Sequence, residues 1–296
     1  MKILISGAKG QLVKEIIDLG PQTDGSDWQP PGLFEIHPYS RYVWDITDYD
    51  KNREIFELVE PDVYIHGASI HHAADIHKDS RLAAKVNIAA THNLIKLCNE
   101  TDNCKFINFS TDYIFSERSC YQSGETAFNE SSERTPFNLY GVMKYAIEQM
   151  LENDCNKWMN IRVCGLFGKY GSRAKNDSNF PLMILDKIKN KEEIKVVDDQ
   201  IMTVGYCKDI AHNIITILNV GSGHYHMMNE GILTWYDLAS FICNIKGYNN
   251  ISKVSSAEFY SDFKRAQTTA LENKRLPKFP DWRDAIVRFM KEIGEI

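Results

Sequence analysis

The stretch KILISGAKGQLV, residues 2–13, decides the fold of this chain. It opens with the apolar, β-forming run KILIS, continues with two glycines at Gly7 and Gly10, and leads into an amphipathic stretch. A strand, a glycine turn and a helix in this order are typical of the first unit of a dinucleotide-binding fold. The glycines let the backbone approach a pyrophosphate, and the helix N-terminus offers free N–H groups. The pattern Gly-x-x-Gly recurs at residues 165–168 and 168–171, but only the first copy lies between a strand and a helix.

Composition and charge narrow the class of protein. The chain has 296 residues, 43% of them hydrophobic and 25% charged, as in an ordinary soluble globular protein. Its net charge of −6, without a long basic run, argues against nucleic-acid binding. The seven cysteines are scattered and form no Cys-x-x-Cys, which argues for a reducing compartment. Because we find neither the apolar span of a signal peptide nor a run of about 18 apolar residues, we expect a cytoplasmic protein outside the membrane.

Strand-like and helix-like segments alternate along the first half of the chain. Further strands are predicted at residues 34–37, 63–69, 105–109 and 158–163, helices at residues 48–59, 78–100 and 140–151, and a surface loop at residues 20–33. This alternation predicts an α/β fold with a Rossmann-type, doubly wound parallel sheet whose site lies at the carboxyl ends of the strands. We assign residues 1–163 to an NAD(P)-binding domain and residues 164–296 to a smaller, mixed α/β substrate-binding region, with an interleaved boundary.

A Tyr-x-x-x-Lys pair, Tyr140 and Lys144, lies in the segment NLYGVMK. At this spacing on a helix both side chains emerge from one face. A tyrosine has a reference pKa of about 10. A cation beside it favours the phenolate, lowers that pKa and makes the hydroxyl a usable proton donor. Thr111, just after the strand at residues 105–109, is placed to hydrogen-bond the oxygen that the tyrosine protonates. Near a nicotinamide ring, these three side chains would form the catalytic group of a carbonyl reductase.

Two other patterns receive structural interpretations. The pair Tyr260 and Lys264 has the same spacing, which arises about once by chance in a chain of this length. No glycine turn or strand end is placed beside it, so we interpret it as part of a surface helix. His71 and His72 are adjacent and splay apart on most backbones, and no Cys or Glu partner stands nearby. The sequence therefore predicts no metal site.

The residues beyond the second strand bear on the choice of cofactor. Ser40 and Arg41 follow that strand, and an arginine there suits the 2′-phosphate of NADP, whereas an acidic residue would favour NAD. The sequence therefore predicts NADP, with NAD as the alternative. The other residues predicted to border the ligand are the small Gly67, Ala68 and Ser69 at a strand end, and Asn87 in the long helix, which is expected to reach the active-site loop.

A resemblance to a known family rests on the segments GAKGQL (7–12), WDITD (44–48), STDYIF (110–115), NLYGVMK (138–144), NF (179–180), VVDDQ (196–200), RAQTTAL (265–271) and PDWRDAI (280–286). With these segments the chain resembles the extended short-chain dehydrogenases and, within them, the dTDP-4-dehydrorhamnose reductase group. The resemblance covers most of the chain. STDYIF with the spaced Tyr-x-x-x-Lys is specific for this group, whereas the glycine loop marks only the superfamily.

The resemblance implies a homodimeric reductase of L-rhamnose-type sugar biosynthesis. It would deliver hydride from NAD(P)H to the C4 ketone of a nucleotide-linked 4-keto-6-deoxyhexose. Tyr140 would donate the proton, Lys144 would tune it and bind the nicotinamide ribose, and Thr111 would hold the keto oxygen. The residues implied around the cofactor are Gly7, Lys9, Gly10, Gln11 and Leu12 at the pyrophosphate, Asp45 and Ile46 on the adenine side, and Gly67, Ala68 and Ser69 at the ribose. Those implied around the sugar nucleotide are Asp112, Tyr113, Asn179, Phe180 and Arg265.

The chain also departs from the family pattern. Val13 replaces the third glycine of the loop, so helix and strand are expected to pack slightly farther apart, and Gly165 falls near the place of a tryptophan in the sugar pocket. The substrate wall thus differs, and neither the sugar nor the nucleotide, dTDP or UDP, is specified. Two alternatives stay open. One is a bifunctional 3,5-epimerase/4-reductase, in which Cys164 or a histidine replaces the usual cysteine. The other is a non-catalytic NADP-binding subunit like the regulatory subunit of methionine adenosyltransferase.

Overall fold

A computed structural model describes residues 1–20, 34–116, 126–173, 176–258 and 265–296. The predicted loop beyond Gly20 and the second pair, Tyr260 and Lys264, lie outside the described residues.

Strands and helices alternate through the first half, as predicted. The described strands are β1 (Lys2–Ser6), β2 (Glu35–Tyr39), β3 (Val63–His66), β4 (Lys105–Thr111), β5 (Trp158–Val163), β6 (Gly165–Phe167), β7 (Ile194–Val197), β8 (Ile201–Met202), β9 (Val204–Tyr206), β10 (Gly223–His226), β11 (Leu233–Thr234) and β12 (Ile251–Val254). The described α-helices are α1 (Gln11–Asp18), α2 (Tyr49–Val59), α3 (Ala73–Lys78), α4 (Ser80–Ala84), α5 (Thr91–Glu100), α6 (Leu139–Asp154), α7 (Phe180–Lys189), α8 (Cys207–Thr216), α9 (Trp235–Ile245) and α10 (Trp282–Glu292).

A six-stranded parallel sheet lies at the centre, in the order β10-β5-β4-β3-β1-β2. The chain moves from β1 to β2 on one side and then to β3 on the other, so the strand order reverses at β1. Open α/β sheets bind ligands at such a switch point, outside the carboxyl ends of the strands. The prediction of a Rossmann-type α/β fold is confirmed. Because β10 comes from the later half of the chain, the predicted boundary between domains is interleaved in space, and the division itself stays a prediction.

The side chains of a central strand point alternately to the two faces of the sheet, and both faces are covered by helices. Ile3 and Ile5 point to one face and pack in a buried cluster with residues of α1 and α8. Leu4 points to the other face, into a cluster with residues of α2, α5 and α6. Successive side chains of a strand leave on opposite faces, and a sheet buried on both faces needs apolar residues at nearly every position. The run KILIS meets that requirement.

The later part of the chain has a core of its own. Residues of α7, β7, β9, α9 and α10 form a second buried cluster, which includes Trp282 and Phe289. β12 pairs with β7, and β6 with β9, in small parallel sheets. This region joins the central sheet directly after β5, next to the carboxyl edge where the predicted site lies.

The long helix predicted at residues 78–100 begins at Ser80 in the structure and includes a π-turn that was not predicted. Asp79 leaves the helical conformation, and its carboxylate accepts a hydrogen bond from the Leu82 backbone N–H at 2.9 Å, which caps a new helix. Residues 85–90 then form a π-helical turn. An aspartate competes with the helix for backbone N–H groups, and π-turns are frequent at functional sites. The periodicity of apolar residues carried neither signal.

Candidate active site

The glycine turn after β1 forms a close backbone contact with the loop after β3. Gly7 has a φ of +72°, and a Cβ added there would lie 2.5 Å from the Gly67 carbonyl group. The Gly10 N–H donates to the Gly7 carbonyl at 2.8 Å, after which α1 begins. A positive φ and such an approach both require glycine. The turn therefore brings backbone N–H groups and a helix N-terminus together at the switch point, as a dinucleotide pyrophosphate requires.

Val13, which replaces the usual third glycine, is accommodated by Gly67. A Cβ at Gly67 would lie 2.5 Å from Val13 Cγ2 and 2.6 Å from the Ser6 carbonyl oxygen. The Val13 side chain on α1 thus occupies the space that a side chain at Gly67 would need. The strand predicted at residues 63–69 ends at His66, so Gly67 belongs to the loop.

The side chains of the predicted pyrophosphate residues point in different directions. Gln11 is buried and donates from Nε2 to the Cys207 sulfur at 3.3 Å, and Leu12 packs in the core. These two residues therefore present only their backbone to the turn. Lys9 reaches outward, with its Nζ 4.5 Å from the centre of the Tyr42 ring.

The predicted adenine-side residues lie in the turn after β2. The Ser40 carbonyl accepts hydrogen bonds from two N–H groups, those of Val43 and Trp44, both at 2.9 Å. Arg41 Nε is 3.5 Å from an Asp45 carboxylate oxygen; the Arg41 side chain is largely exposed, and that of Asp45 is half-buried. Ile46 is buried, so its side chain faces the core. The turn thus presents Ser40, Arg41 and Asp45 at the edge of the sheet.

Asn87, in the π-turn, holds the loop that follows β3. Its side chain is buried; the amide oxygen accepts from the Ile70 N–H at 2.9 Å and from the Ser69 hydroxyl at 3.2 Å. Its amide nitrogen donates to the Ile70 carbonyl at 2.8 Å. The Ala68 N–H donates more weakly to Ser6 Oγ at 3.4 Å. Asn87 thus ties the π-turn to the loop after β3, and its predicted contact with the ligand stays a prediction.

The predicted catalytic residues converge where β4 ends and α6 begins. Thr111 is the last residue of β4, and Tyr140 and Lys144 lie one turn apart in α6. Lys144 Nζ donates to the Phe109 carbonyl at 2.8 Å and lies 5.9 Å from the centre of the Tyr140 ring. A Cβ at Gly141 would be 2.2 Å from the Tyr113 carbonyl oxygen, so only glycine allows α6 to approach the turn after β4 this closely.

Burial shifts the pKa values of the ionisable side chains around Tyr140. It raises the pKa of Tyr140, and the nearby Asp112 and Tyr113 raise it further. Burial also lowers the pKa of Lys144 to about 8 and raises that of Asp112 to about 6. The predicted fall of the Tyr140 pKa is therefore wrong for this structure. The physical reason is that loss of hydration disfavours the phenolate. Tyr140 keeps its proton at neutral pH, which is the state of a proton donor.

The five residues implied around the sugar nucleotide have different surroundings. Thr111 Oγ1 donates to the buried Asp112 carboxylate at 3.0 Å and accepts from the Tyr113 N–H at 3.2 Å. The Tyr113 ring lies edge-on to Tyr140, with 6.3 Å between ring centres. Asp112 and Tyr113 thus lie directly beside Thr111 and Tyr140, two of the predicted catalytic residues.

The remaining implied residues lie in the later part of the chain. Asn179 is buried and caps α7, accepting from the Leu182 N–H at 3.2 Å and donating to the Gly168 carbonyl at 2.8 Å. The ring centre of Phe180 is 4.7 Å from that of Trp235. Arg265 is exposed, and its positive charge favours ionisation of Tyr113, against the larger effect of burial. Their contact with a substrate stays a prediction.

Sequence reasoning missed a buried ion pair one helical turn beyond Lys144, the lysine predicted to be catalytic. Glu148 and Arg162 are almost fully buried and are joined by two hydrogen bonds, at 2.8 and 3.1 Å. The Ser110 hydroxyl donates to the same carboxylate at 2.6 Å, and Asn160 donates to it at 2.9 Å. Glu148 continues the helical spacing that joins Tyr140 and Lys144. That spacing was the available signal.

Comparison with known proteins identifies the family to which this chain belongs. The family model described as the RmlD substrate binding domain matches residues 1–294. The chain belongs to this family. The predicted membership of a group of extended short-chain dehydrogenases is confirmed.

Several known proteins match the chain over nearly its full length. It is 25% identical to the spore coat polysaccharide biosynthesis protein SpsK of Bacillus subtilis, over 98% of this chain and 97% of that protein. It is 24% identical to the dTDP-4-dehydrorhamnose reductase of Escherichia coli K12, over 99% of this chain and 98% of that protein. The crystal structure of a Bacillus anthracis dTDP-4-dehydrorhamnose reductase in complex with NADP matches with a TM-score of 0.86 and 26% identity, over 98% and 99% of the two chains.

In the ranges that the structure describes, no helix combines the length and the apolar character needed to cross a bilayer.

Proposed function

We propose that this protein reduces the C4 ketone of a nucleotide-linked 4-keto-6-deoxyhexose, with NADPH as the reductant and Tyr140 as the proton donor. The observation that carries the proposal is the convergence of Thr111, Tyr140 and Lys144 at the sheet edge that also carries the glycine turn. The relatives include reductases of dTDP-linked keto sugars, and a similar structure contains NADP. At that level, the prediction of an NADP-dependent nucleotide-sugar ketoreductase is confirmed.

The residues around the switch point fit the cofactor. Any side chain at Gly7 or Gly67 would fill the space against the turn, because their ideal Cβ positions fall 2.5 Å from neighbouring atoms. NADPH, when bound, supplies the hydride. The protein has to bind it by the phosphates, orient the ketone and deliver a proton to the ketone oxygen.

Tyr140 Oη is the proton donor in this proposal. Because burial keeps the phenol protonated, the proton is present at neutral pH. Once it is transferred to the ketone oxygen, the Lys144 ammonium stabilises the phenolate left behind. The Phe109 carbonyl fixes that ammonium group at 2.8 Å. General acid catalysis of this kind contributes about 10²–10⁴-fold to a rate.

Thr111 positions the ketone oxygen in competition with Asp112. Its hydroxyl has one proton, which it donates to the Asp112 carboxylate at 3.0 Å. A ketone oxygen that binds at Thr111 accepts the hydrogen bond from this hydroxyl in place of the Asp112 carboxylate. Protonation of Asp112, whose pKa is raised to about 6 by burial, weakens the competing interaction.

The test is the oxidation of NADPH with dTDP- and UDP-linked 4-keto-6-deoxyglucose, generated in place by a dehydratase. Turnover is measured for the wild-type protein and for Tyr140→Phe, with Tyr49→Phe as the control, since Tyr49 is exposed at the start of α2. We expect Tyr140→Phe to lower kcat by about 10²–10⁴-fold and to leave NADPH binding unchanged. A Tyr140→Phe variant as active as the control would refute the proposed proton donor.

The same experiment separates the two alternatives. Each reaction is run with and without a separate 3,5-epimerase. Turnover that needs no epimerase supports a bifunctional enzyme once the product proves epimerised. Tight NADPH binding with no turnover on any keto sugar supports the non-catalytic subunit, and a stable complex with another protein then has to be found. A homodimer and a cytoplasmic location stay predictions.

A further inference from the structure

A short segment of the later half of the chain, Lys169 to Arg173, lies against the first helix of the dinucleotide-binding unit. Lys169 Nζ is 2.6 Å from an Asp18 carboxylate oxygen, and the Tyr170 hydroxyl donates to the same oxygen at 2.8 Å. Lys14 Nζ lies 5.1 Å from the centre of the Tyr170 ring. The start of this 169–173 segment is therefore fixed on α1.

The end of the 169–173 segment contacts the loops on both sides of the glycine turn. Ser172 Oγ is 3.1 Å from His71 Nε2, in the loop after β3, and Arg173 donates to the Tyr42 hydroxyl at 3.5 Å, in the turn after β2. In the sheet, β1 lies between β3 and β2. The segment therefore spans the carboxyl end of β1, where Gly7 makes its turn.

The backbone of the segment is braced from the other side. The Ser172 N–H donates to the Ser178 carbonyl at 2.9 Å, and a Cβ at Gly171 would overlap the Asp177 carbonyl group at 1.8 Å. The contact at Gly171 leaves no room for a side chain. The position of Arg173 is thus set by its own chain and by contacts with two loops of the cofactor unit.

Three cations surround the exposed ring of Tyr42. Lys9 Nζ is 4.5 Å and Arg173 Cζ 5.9 Å from the ring centre, and Arg41 precedes Tyr42 in the chain. These cations lower the pKa of Tyr42, with the hydrogen bond from Arg173 as the largest cause. Arg41 is 3.5 Å from Asp45, but no ion pair of the described residues includes Lys9 or Arg173. The mouth of the cofactor site thus carries net positive charge from three separate segments.

We propose that Arg173, together with Lys9 and Arg41, binds the 2′-phosphate of the NADP adenosine ribose, and that Arg173 selects NADP over NAD from the later half of the chain. This inference rests on the proposed use of NADP. A phosphate monoester carries about −1.5 to −2 charges at neutral pH. The guanidinium group of arginine matches its oxygens with two parallel hydrogen bonds.

The test measures binding of two nucleotide fragments, 2′,5′-ADP and 5′-AMP, by isothermal titration calorimetry. The fragments differ only in the 2′-phosphate. We expect Arg173→Gln to weaken 2′,5′-ADP about tenfold or more, and 5′-AMP by less than about twofold, because only the first ligand offers the anion. Arg53→Gln is the control, since it removes the same charge from an exposed arginine that pairs with Glu100 on α5. Thermal unfolding of both variants verifies the fold.

Each result of the binding measurements either supports or overturns the proposal. Equal loss of both ligands in Arg173→Gln, or a loss no larger than in Arg53→Gln, overturns the proposal. A wild-type protein that binds the two fragments equally well overturns it too. Because neither fragment needs a sugar substrate or turnover, a selective loss supports the role of Arg173 even if no keto sugar is reduced. Failure of the reductase proposal is thereby distinguishable from failure of this one.

Discussion

Glu148→Gln tests whether the buried ion pair of Glu148 and Arg162 supports both the fold and the proposed role of Lys144. The substitution keeps the shape of the side chain and removes its charge. Arg162 then stays buried without a counter-charge, its hydrogen bonds to Glu148 having been 2.8 and 3.1 Å long. Ser110, which precedes Thr111, loses the carboxylate to which it donated at 2.6 Å.

The expected loss of folding free energy in Glu148→Gln follows from the environment of the carboxylate. Arg162 and the other donors hold the pKa of Glu148 at about 2, against an ordinary 4.5 and despite burial. A shift of that size corresponds to about 3 kcal/mol. Breaking a buried pair by removing one partner costs about 3–5 kcal/mol. For 296 residues, that loss lowers Tm by about 5–8 °C.

The stabilisation that the Glu148 carboxylate gives to the fold depends on pH, and the sign of this dependence is definite. Because the folded-state pKa of Glu148 lies below the unfolded one, the carboxylate stabilises the fold above about pH 4.5. This contribution is lost as the pH falls towards about 2. The difference in stability between wild type and Glu148→Gln is therefore expected to be full at neutral pH and to shrink in acid.

Catalysis provides a second readout that a purely structural role would not change. The charge of Glu148 raises the pKa of Lys144, which burial lowers to about 8. In Glu148→Gln the pKa of Lys144 falls further, so the basic limb of the profile of kcat/KM against pH moves to lower pH. Chemical denaturation and this pH profile are measured together.

The matched control is Glu152→Gln, one turn further along α6. That carboxylate is 29% exposed and pairs with Arg134 and His224. For a partly exposed pair we expect less than about 1 kcal/mol and an unchanged basic limb. A basic limb that also stays in place in Glu148→Gln would refute the coupling to Lys144. Equal losses of stability in the two variants would refute the estimate for the buried pair.

Two further variants test the turn after β4. We expect Asp112→Asn to raise the free energy of unfolding at neutral pH by about 1–3 kcal/mol, because burial raises the pKa of Asp112 to about 6 and its ionisation opposes folding as the pH rises from about 4 to 6. Urea unfolding at neutral pH and at about pH 4 should show the gain only at the higher pH, and equal gains would contradict the reasoning. Gly141→Ala should lower stability by about 1–3 kcal/mol and reduce kcat, because its Cβ meets the Tyr113 carbonyl oxygen at 2.2 Å. Gly221→Ala, where a Cβ meets nothing within 4 Å, is the control for both readouts, and matching effects in the two variants would show the contact to be unimportant.

Much of the fold was predictable because its signals are local. Strands β1, β4 and β5 and helices α2 and α6 appear close to their predicted bounds, since apolar periodicity, glycine and capping residues act within a few positions. Asp48 caps α2 by accepting a hydrogen bond from the Lys51 N–H at 3.0 Å. The π-turn at Asn87 escaped prediction because no local pattern marks an added residue in a helix.

The sequence by itself determined the chemical groups and their order: a glycine turn between a strand and a helix, a tyrosine and a lysine one helical turn apart, and a threonine at a strand end. Covalent spacing is enough to place such groups on one face or at one edge. The tertiary structure alone decided their electrostatics and their remote partners. It buried Tyr140 and so raised its pKa, joined Glu148 to Arg162 and brought Arg173 to Tyr42, 131 positions away. Hydration and Coulomb energy depend on which segments meet in space, and no spacing along the chain specifies that.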